Sequence, residues 1–540
     1  MKKSDRLKIL LEKGYFPAEL PPPFVSETFA KFRQSIFKEW TALQHPPKTH
    51  FEAYSYPRVG RRRRKLAIVN PISQLFLTKK ISDEWVQIRK HIGKSKISLD
   101  TPIIYEDAER AIPKPDFGLI GLKRIDAEAR YDQILVSDIS RFYSTLYTHS
   151  LAWALHSKAF CKANVNNNAV LSGLLGNSLD VLVRKGQDNQ SIGIPIGPDT
   201  SRILAEIIAV SIEQEFSDLS GYSSDRIFRY VDDWFLGFDG AGQAEDAIAL
   251  LSKACSVFEL ELNDEKTKIV DPIDPVDELW PAELREHKFR NSVKDQAKDI
   301  RHYFTKAFHY ASELRDQNVL DFALKRIRSV QIKADNAALF ESYVVRAARV
   351  NPTSFPIAAQ ILINLKFQGL PLSTSRIEKL IFDTIANTAI VGKHGELSWA
   401  LFLAKGLSIK IPKAVIEPVL ELESSVCALL TLDLEKKGLI KGSINKSFYT
   451  NFMTSDALTG NMWLLAYEAN VKGWINTGTD HVANHPYFSV LKKKGVYFYD
   501  EGKNVPTFQR AIRTQLNENQ RRMANANMIR LLVSTRFTSM

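Results

Sequence analysis

The sequence predicts an α+β protein in two parts, a mixed α/β part over residues 1–290 and an all-helical part over residues 291–540. Short apolar runs rich in β-branched and aromatic residues, at 66–69, 133–137 and 227–238, have the character of strands, and all lie in the first part. After about residue 290 strand alternation fades, and segments 298–315, 318–331, 336–349, 355–366 and 374–389 carry apolar residues at helical spacing. A chain of 540 residues exceeds one ordinary core, and 44% apolar content fills two or three.

In chain order, residues 4–13 form a short amphipathic helix, which the cluster Pro21, Pro22, Pro23 follows with an extended segment. The basic run Arg61 to Lys65 leads into a strand, Leu66 to Val69, that stops at Asn70-Pro71. QILVS at 133–137 is a buried-strand candidate running straight into Asp138. Residues 200–216 have helical periodicity, with Thr200 or Ser201 as N-cap. RIFRYVDDWFLGF reads as two strands about a tight turn centred on Asp232-Asp233. In the second part, helix-pair texture without a fixed repeat length leaves a HEAT-like solenoid and an irregular bundle both open. Residues 487–499 are the one late segment with strand character, and Gln515 to Leu532 read as a closing basic helix.

A formal charge of +12 and a pI near 9.3 favour polyanionic partners but do not choose a fold. Cys161, Cys255 and Cys427 lie far apart with no paired spacing, which argues against a disulfide framework and a structural zinc site and suits a reducing cytoplasm. Charges at Lys8, Glu12 and Lys13 leave no apolar core of signal-peptide length near the start. No stretch approaches the roughly 18 uninterrupted apolar residues of a membrane helix, so no membrane partner is expected.

The chemistry concentrates in three carboxylates. Joining a phosphoryl group to a hydroxyl calls for two divalent cations about 3.5–4 Å apart, held by oxygen ligands. Asp138 at a strand end and Asp232-Asp233 at a hairpin turn have the placement such a cluster needs. An Asp-Asp pair in a turn is by itself more often a solvated loop. Three carboxylates beside apolar strands repel one another by about a kcal/mol per pair at an effective dielectric of 20, so a buried cluster requires cations.

Tyr230-Val231-Asp232-Asp233 resembles the YxDD box of reverse transcriptases, and Asp138-Ile139-Ser140-Arg141-Phe142-Tyr143 resembles their first aspartate motif. Gly193-Ile194-Pro195-Ile196-Gly197-Pro198-Asp199-Thr200-Ser201 resembles the Gly-rich loop and helix beneath the incoming nucleotide. Leu262-Asn263 with Lys266 and Lys268 resembles the later lysine-bearing palm motif, and Arg64-Lys65-Leu66-Ala67-Ile68 the fingers strand. Five motifs in the same order over 58–270 are far more specific than any one of them.

The resemblance implies a right-hand polymerase, with a fingers and palm domain at 1–290 and a helical domain in place of a thumb. It implies that Asp138 and Asp232 ligate two Mg2+ with help from the Ile139 carbonyl, and that Asp233 tunes the cluster. It assigns deoxynucleoside triphosphate binding to Arg64, with Arg63 or Arg62 beside it, and to Tyr143, Gly197, Ser201 and Lys266. Tyr143 is placed as a steric gate against a ribose 2′-hydroxyl.

Ile196 stands where most reverse transcriptases carry Gln. The Ile-Pro-x-Gly-Pro form, the opening Gly14-Tyr15-Phe16-Pro17-Ala18-Glu19-Leu20-Pro21-Pro22 and the large helical part resemble the bacterial abortive-infection reverse transcriptases of the AbiK type. That family implies antiphage defence, a homo-oligomer, and template-free synthesis of single-stranded DNA attached to a tyrosine of the protein. Tyr54 and Tyr56, expected on a mobile segment, and Tyr15 are the candidate priming residues. A templated retron-like or intron-like polymerase and a non-catalytic nucleic-acid scaffold are the alternatives, and retention of all three aspartates argues against the scaffold.

Overall fold

The computed structural model describes residues 1–43, 46–60, 62–113, 117–274, 276 and 278–506. Gln515 to Leu532 and Arg61 therefore lie outside the described residues. None of the described helices is long and apolar enough to cross a membrane.

Helix α1, Lys3–Lys13, buries Leu7, Ile9, Leu10 and Leu11, and α2, Glu27–Thr41, packs across it. Strands β1, Glu52–Pro57, and β2, Arg63–Ile68, pair antiparallel as a separate hairpin. β2 begins three residues earlier than the apolar pattern suggests, because its first half is basic, with Arg64 and Lys65 exposed, while Leu66, Ala67 and Ile68 are buried. Helices α3, Pro71–Asp83, and α4, Trp85–Ile92, follow. Asn70 caps α3 by accepting from the Ile72 N–H.

The central sheet has strand order β4-β5-β3-β6, with β3 Gln133–Asp138, β4 Ile227–Tyr230, β5 Asp233–Phe238 and β6 Lys268–Val270. All its pairings are antiparallel. Helix α5, Asp199–Ser220, packs on α6, Ala241–Val257, and its Ile203, Leu204, Ile207, Ile208 and Ile212 are fully buried in the palm core. The N-cap of α5 is Pro198 rather than Thr200 or Ser201, both of which lie buried in the first turn. Asp199 there accepts from Arg110 Nη2 (2.7 Å) and the Ile112 N–H (2.9 Å), while its own N–H donates to the Gly14 carbonyl.

Beyond residue 290 the helical expectation holds closely: α7 Val293–Glu313, α8 Val319–Ile327, α9 Ala337–Val350, α10 Phe355–Phe367, α11 Thr374–Ala389 and α12 His394–Leu407. Then come α13 Ser425–Lys436, α14 Trp463–Val471 and α15 Phe488–Lys493. α12 is apolar nearly all round and packs against α10, α11, α13 and β1, so it is the centre of this half. Two-residue strands, Ile411–Pro412 and Ile440–Lys441, interrupt the helices. Within 487–499 the strand expectation is corrected: Phe488–Lys493 is helical, and only Phe498 and Tyr499 make ladder-like contacts, with Val25 and Phe24.

The apolar core does not divide at residue 290. One cluster joins the first 75 residues to the helical half, and a second fills the palm. Trp40 Nε1 donates to the Tyr487 carbonyl, Trp399 Nε1 to Glu19 and Trp463 Nε1 to Ile68, so each buried indole ties the two ends of the chain together. An ion network lies inside the helical half: Asp433, fully buried, meets Lys405 Nζ at 2.6 Å and accepts from Tyr499 Oη at 2.7 Å. Burial lowers the Lys405 pKa, and the facing Asp433 opposes that.

Candidate active site

Asp138 ends β3 and pairs in register with Asp233, the first residue of β5, while Tyr230↔Asp233 closes the β4–β5 hairpin over a two-residue loop, Val231-Asp232. Period-2 strands with a tight turn thus bring together three carboxylates that lie 95 residues apart at the extremes of 138 and 233. Val231 has φ +54, uncommon for a β-branched residue. The Asp232 carbonyl accepts from the Ile139 N–H at 3.2 Å, which fastens the turn to the end of β3.

Burial, then Asp233, then Asp138 push the Asp232 carboxyl up to about 7, and burial followed by Asp138 pushes Asp233 up to about 6. Lys266 Nζ sits 2.7 Å from Asp138 Oδ2, Asn263 Nδ2 donates to the same oxygen at 3.2 Å, and the Asn263 N–H donates to the Asp138 carbonyl. Among the described residues no three acidic, histidine or cysteine side chains form a ready metal cage. The chemistry of the donors nonetheless fits a hard divalent cation: all are oxygens, two have proton affinities raised by burial and then by neighbouring carboxylates, and a lysine ammonium stands in as counter-charge.

That electrostatic frustration has a pH signature. Both groups have folded pKa values above the unfolded value of 3.8, so the folded state holds extra protons and metal-free stability falls as pH rises from about 4 to about 7. Mg2+ should therefore raise the melting temperature more at about pH 8 than at about pH 5. Equal Mg2+ effects at both pH values would show that the three aspartates do not bind it.

The basic side chains separate by strand alternation. Arg64 is exposed on β2, opposite Tyr56. Arg63, on the other face, is tied to Glu396 of α12 by two bonds of 2.7 and 2.8 Å and to Ser55, so it is not free to grip a phosphate. Arg58, in the β1–β2 loop, is a residue the sequence reading passed over. Burial lowers its pKa, as do Arg64 and Arg62, while Asp232 and Asp138 raise it, which puts it within electrostatic range of both arginines and both aspartates. A further arginine three positions ahead of the basic run was the available signal.

Tyr143 is half-buried, and its carbonyl accepts from the Ile194 N–H of the Gly-rich loop. Burial raises its hydroxyl pKa, Arg202 lowers it, and Asp232 raises it further, so the ring stands near the carboxylates. Gly197 has φ +136, and a Cβ there would lie 2.7 Å from Pro17 Cγ, so only glycine fits beneath the opening segment. Next to it the Ile196 carbonyl accepts from the Ala67 N–H, joining the loop to β2. Ser201 is 2% exposed and lines a small cavity with Val69, Ser73, Gln74 and Thr200 rather than an open face.

The mobile placement of the tyrosines is corrected. Tyr54 lies in β1, fully buried, 2.7 Å from Ser398 Oγ, and Tyr56 stacks on it at 6.3 Å. Tyr15 is 1% exposed and donates to the Val69 carbonyl at 2.6 Å. Burial raises the pKa of all three phenols.

An antiparallel sheet with paired aspartates at one hairpin and a third on the adjoining strand end is the palm of a nucleotidyl-transferring polymerase. Residues 71–296 match the family model for reverse transcriptase (RNA-dependent DNA polymerase), so the chain carries a reverse transcriptase domain and is a nucleotidyltransferase. No curated protein matches the chain. The match starts beyond the β1–β2 hairpin and stops inside α7, so the basic run and nearly all of the helical half lie outside it.

Proposed function

We propose that this protein is a DNA polymerase that adds deoxynucleotides at Asp138, Asp232 and Asp233 with two Mg2+ ions. The carrying observation is the register Asp138↔Asp233 beside the Val231-Asp232 turn, which gathers all three carboxylates. Bound Mg2+ would supply Lewis-acid activation of the nucleophile and neutralise triphosphate charge. The chain's own residues do the rest. Asp138 and Asp232 would hold the ions with the Ile139 carbonyl, Asp233 would add to the field, Arg58, Arg62 and Arg64 would attract the triphosphate, and Lys266, now on Asp138, would turn to the incoming phosphates.

Tyr143 serves as the sugar gate, so Tyr143→Ala should admit ribonucleotides with a selectivity loss of about tenfold or more. Competition between matched deoxy- and ribonucleoside triphosphates reads this directly, and unchanged discrimination removes Tyr143 from that role.

The helical half, in which α7 to α13 pack mainly on the next helix or the next but one, stands in for a thumb, whether as a HEAT-like solenoid or as an irregular bundle. Its α7 shows an exposed stripe of Lys294, Lys298, Arg301, His302 and His309 that suits a polynucleotide backbone. Product retention should fall steeply with salt, and salt-independent retention would assign α7 to a protein partner instead.

The AbiK-type motifs extend the proposal to a homo-oligomeric antiphage enzyme that works without a template. Protein priming also follows from that resemblance, but Tyr15, Tyr54 and Tyr56 reach a nucleotide only if their packing opens. Purified protein, Mg2+ and each deoxynucleotide, with and without RNA template and primer, test the reading. Synthesis without either nucleic acid supports it, strict dependence on both favours the templated alternative that the family match describes, and no synthesis under any condition defeats both.

A further inference from the structure

We propose that Arg229 is a positioning residue that aims Asp232, through the peptide carbonyl immediately before it; the inference rests on Asp232 being a metal ligand. Arg229 lies on β4 between apolar neighbours and is fully buried. A guanidinium in such a place needs charged partners, and α5 supplies them. Glu206 takes it in a two-pronged pair, Nη2–Oε1 at 2.8 Å and Nη1–Oε2 at 3.1 Å, and Glu213 lies 3.7 Å away.

A purely structural ion pair would end there. Nη1 also donates to the Val231 carbonyl at 2.8 Å, around the corner of the hairpin. Val231 has φ +54, a conformation that strains a β-branched residue and persists only where the surroundings impose it. Two bonds impose it here: Arg229 holds the Val231 carbonyl, and the Ile139 N–H holds the Asp232 carbonyl. The peptide planes on both sides of the Asp232 α-carbon are thereby fixed, and with them the direction of the Cα–Cβ bond that carries its carboxylate.

Arg229 is itself immobile. Its N–H donates to the Ile97 carbonyl and its own carbonyl accepts from the Leu99 N–H, so the 97–99 segment covers the edge of β4. Glu213 is steadied by Ser95 Oγ at 2.6 Å and the Lys96 N–H at 2.9 Å. The result is a rigid line from α5 through Arg229 to the turn, of the kind that keeps a reacting group within a fraction of an ångström of its working position.

Arg229→Lys separates aiming from stability, because an ammonium keeps a cation beside Glu206 but cannot hold two carboxylate oxygens and a carbonyl in fixed planar geometry. In a folded R229K protein, Mn2+ affinity by electron paramagnetic resonance should weaken about tenfold, and kcat should fall about tenfold or more while deoxynucleotide KM stays within about threefold. Wild-type Mn2+ affinity and kcat in folded R229K overturn the proposal. Should R229K fail to fold, the double variant Arg229→Met, Glu206→Met removes the two-pronged pair, leaves Glu213 on the Ser95 hydroxyl and the Lys96 N–H, and takes the same two measurements, with the same outcomes deciding. A wild-type protein that binds no Mn2+ at the aspartates defeats the metal-ligand reading itself, and this proposal with it.

Discussion

Asp232→Ala or Asp138→Ala should reduce nucleotide incorporation by at least about a hundredfold, about 3 kcal/mol of transition-state stabilisation, because each removes a principal metal-holding carboxylate. The fold should survive, and in metal-free buffer the Asp232 variant should melt higher than wild type. Its carboxyl is forced upward in pKa by burial and by Asp233 and Asp138, so deleting it relieves repulsion that the backbone otherwise bears. Two measurements on one sample decide: primer-independent or primed incorporation, and a thermal melt in EDTA. A folded Asp232→Ala protein with undiminished incorporation would end the enzyme reading.

Asp433→Ala should destabilise the protein by about 3–5 kcal/mol, the cost of leaving a buried charge without its partner. Lys405 Nζ, 7% exposed in its side chain, has Asp433 at 2.6 Å, and Tyr499 Oη loses its acceptor in the same substitution. Tyr499 lies beside Phe24, so the loss should spread to the N-terminal segment. Replacing Lys405 and Asp433 together by Met and Leu should recover most of the deficit, since no lone charge then remains in the core. Chemical denaturation of the single and double variants measures it, and an equal loss in both would mean that packing rather than charge dominates the site.

The parts of this molecule legible in the sequence are those whose signal is local. The strand running into Asp138, the Tyr230 to Asp233 turn and the helices from 293 to 389 are each encoded within about a dozen or two neighbouring residues, where period and turn chemistry suffice. The misreadings concern groups whose partners are remote. Tyr54 and Tyr56 look like a mobile stretch next to Pro57 and Gly60, but Ser398 and Gly395, more than 330 positions later, pack them down. Arg63 and Arg64 are indistinguishable as letters; Glu396 decides which of them is engaged. Arg229 offered a readable clue, a charge inside an apolar strand, without revealing Glu206 as its answer. Phe488–Lys493 is β-prone by composition and is helical because Phe488 packs among Tyr467, Trp463 and His485.

The joining of the chain's two ends also sets an order of events during synthesis. Apart from Ile9 and Leu10 of α1, the palm cluster is drawn from residues 77–260, which can close once the ribosome has released them. The β1–β2 hairpin cannot: its clasp on Glu396 and Ser398 spans 333 and 344 positions, and the contacts of Trp40 with Tyr487 and Thr28 with Tyr497 span 447 and 469. These segments wait on partners made more than 330 positions later. A chain made only as far as residue 296 thus carries the strands that bear the aspartates but lacks the Glu396 clasp on Arg63 and the Ser398 clasp on Tyr54.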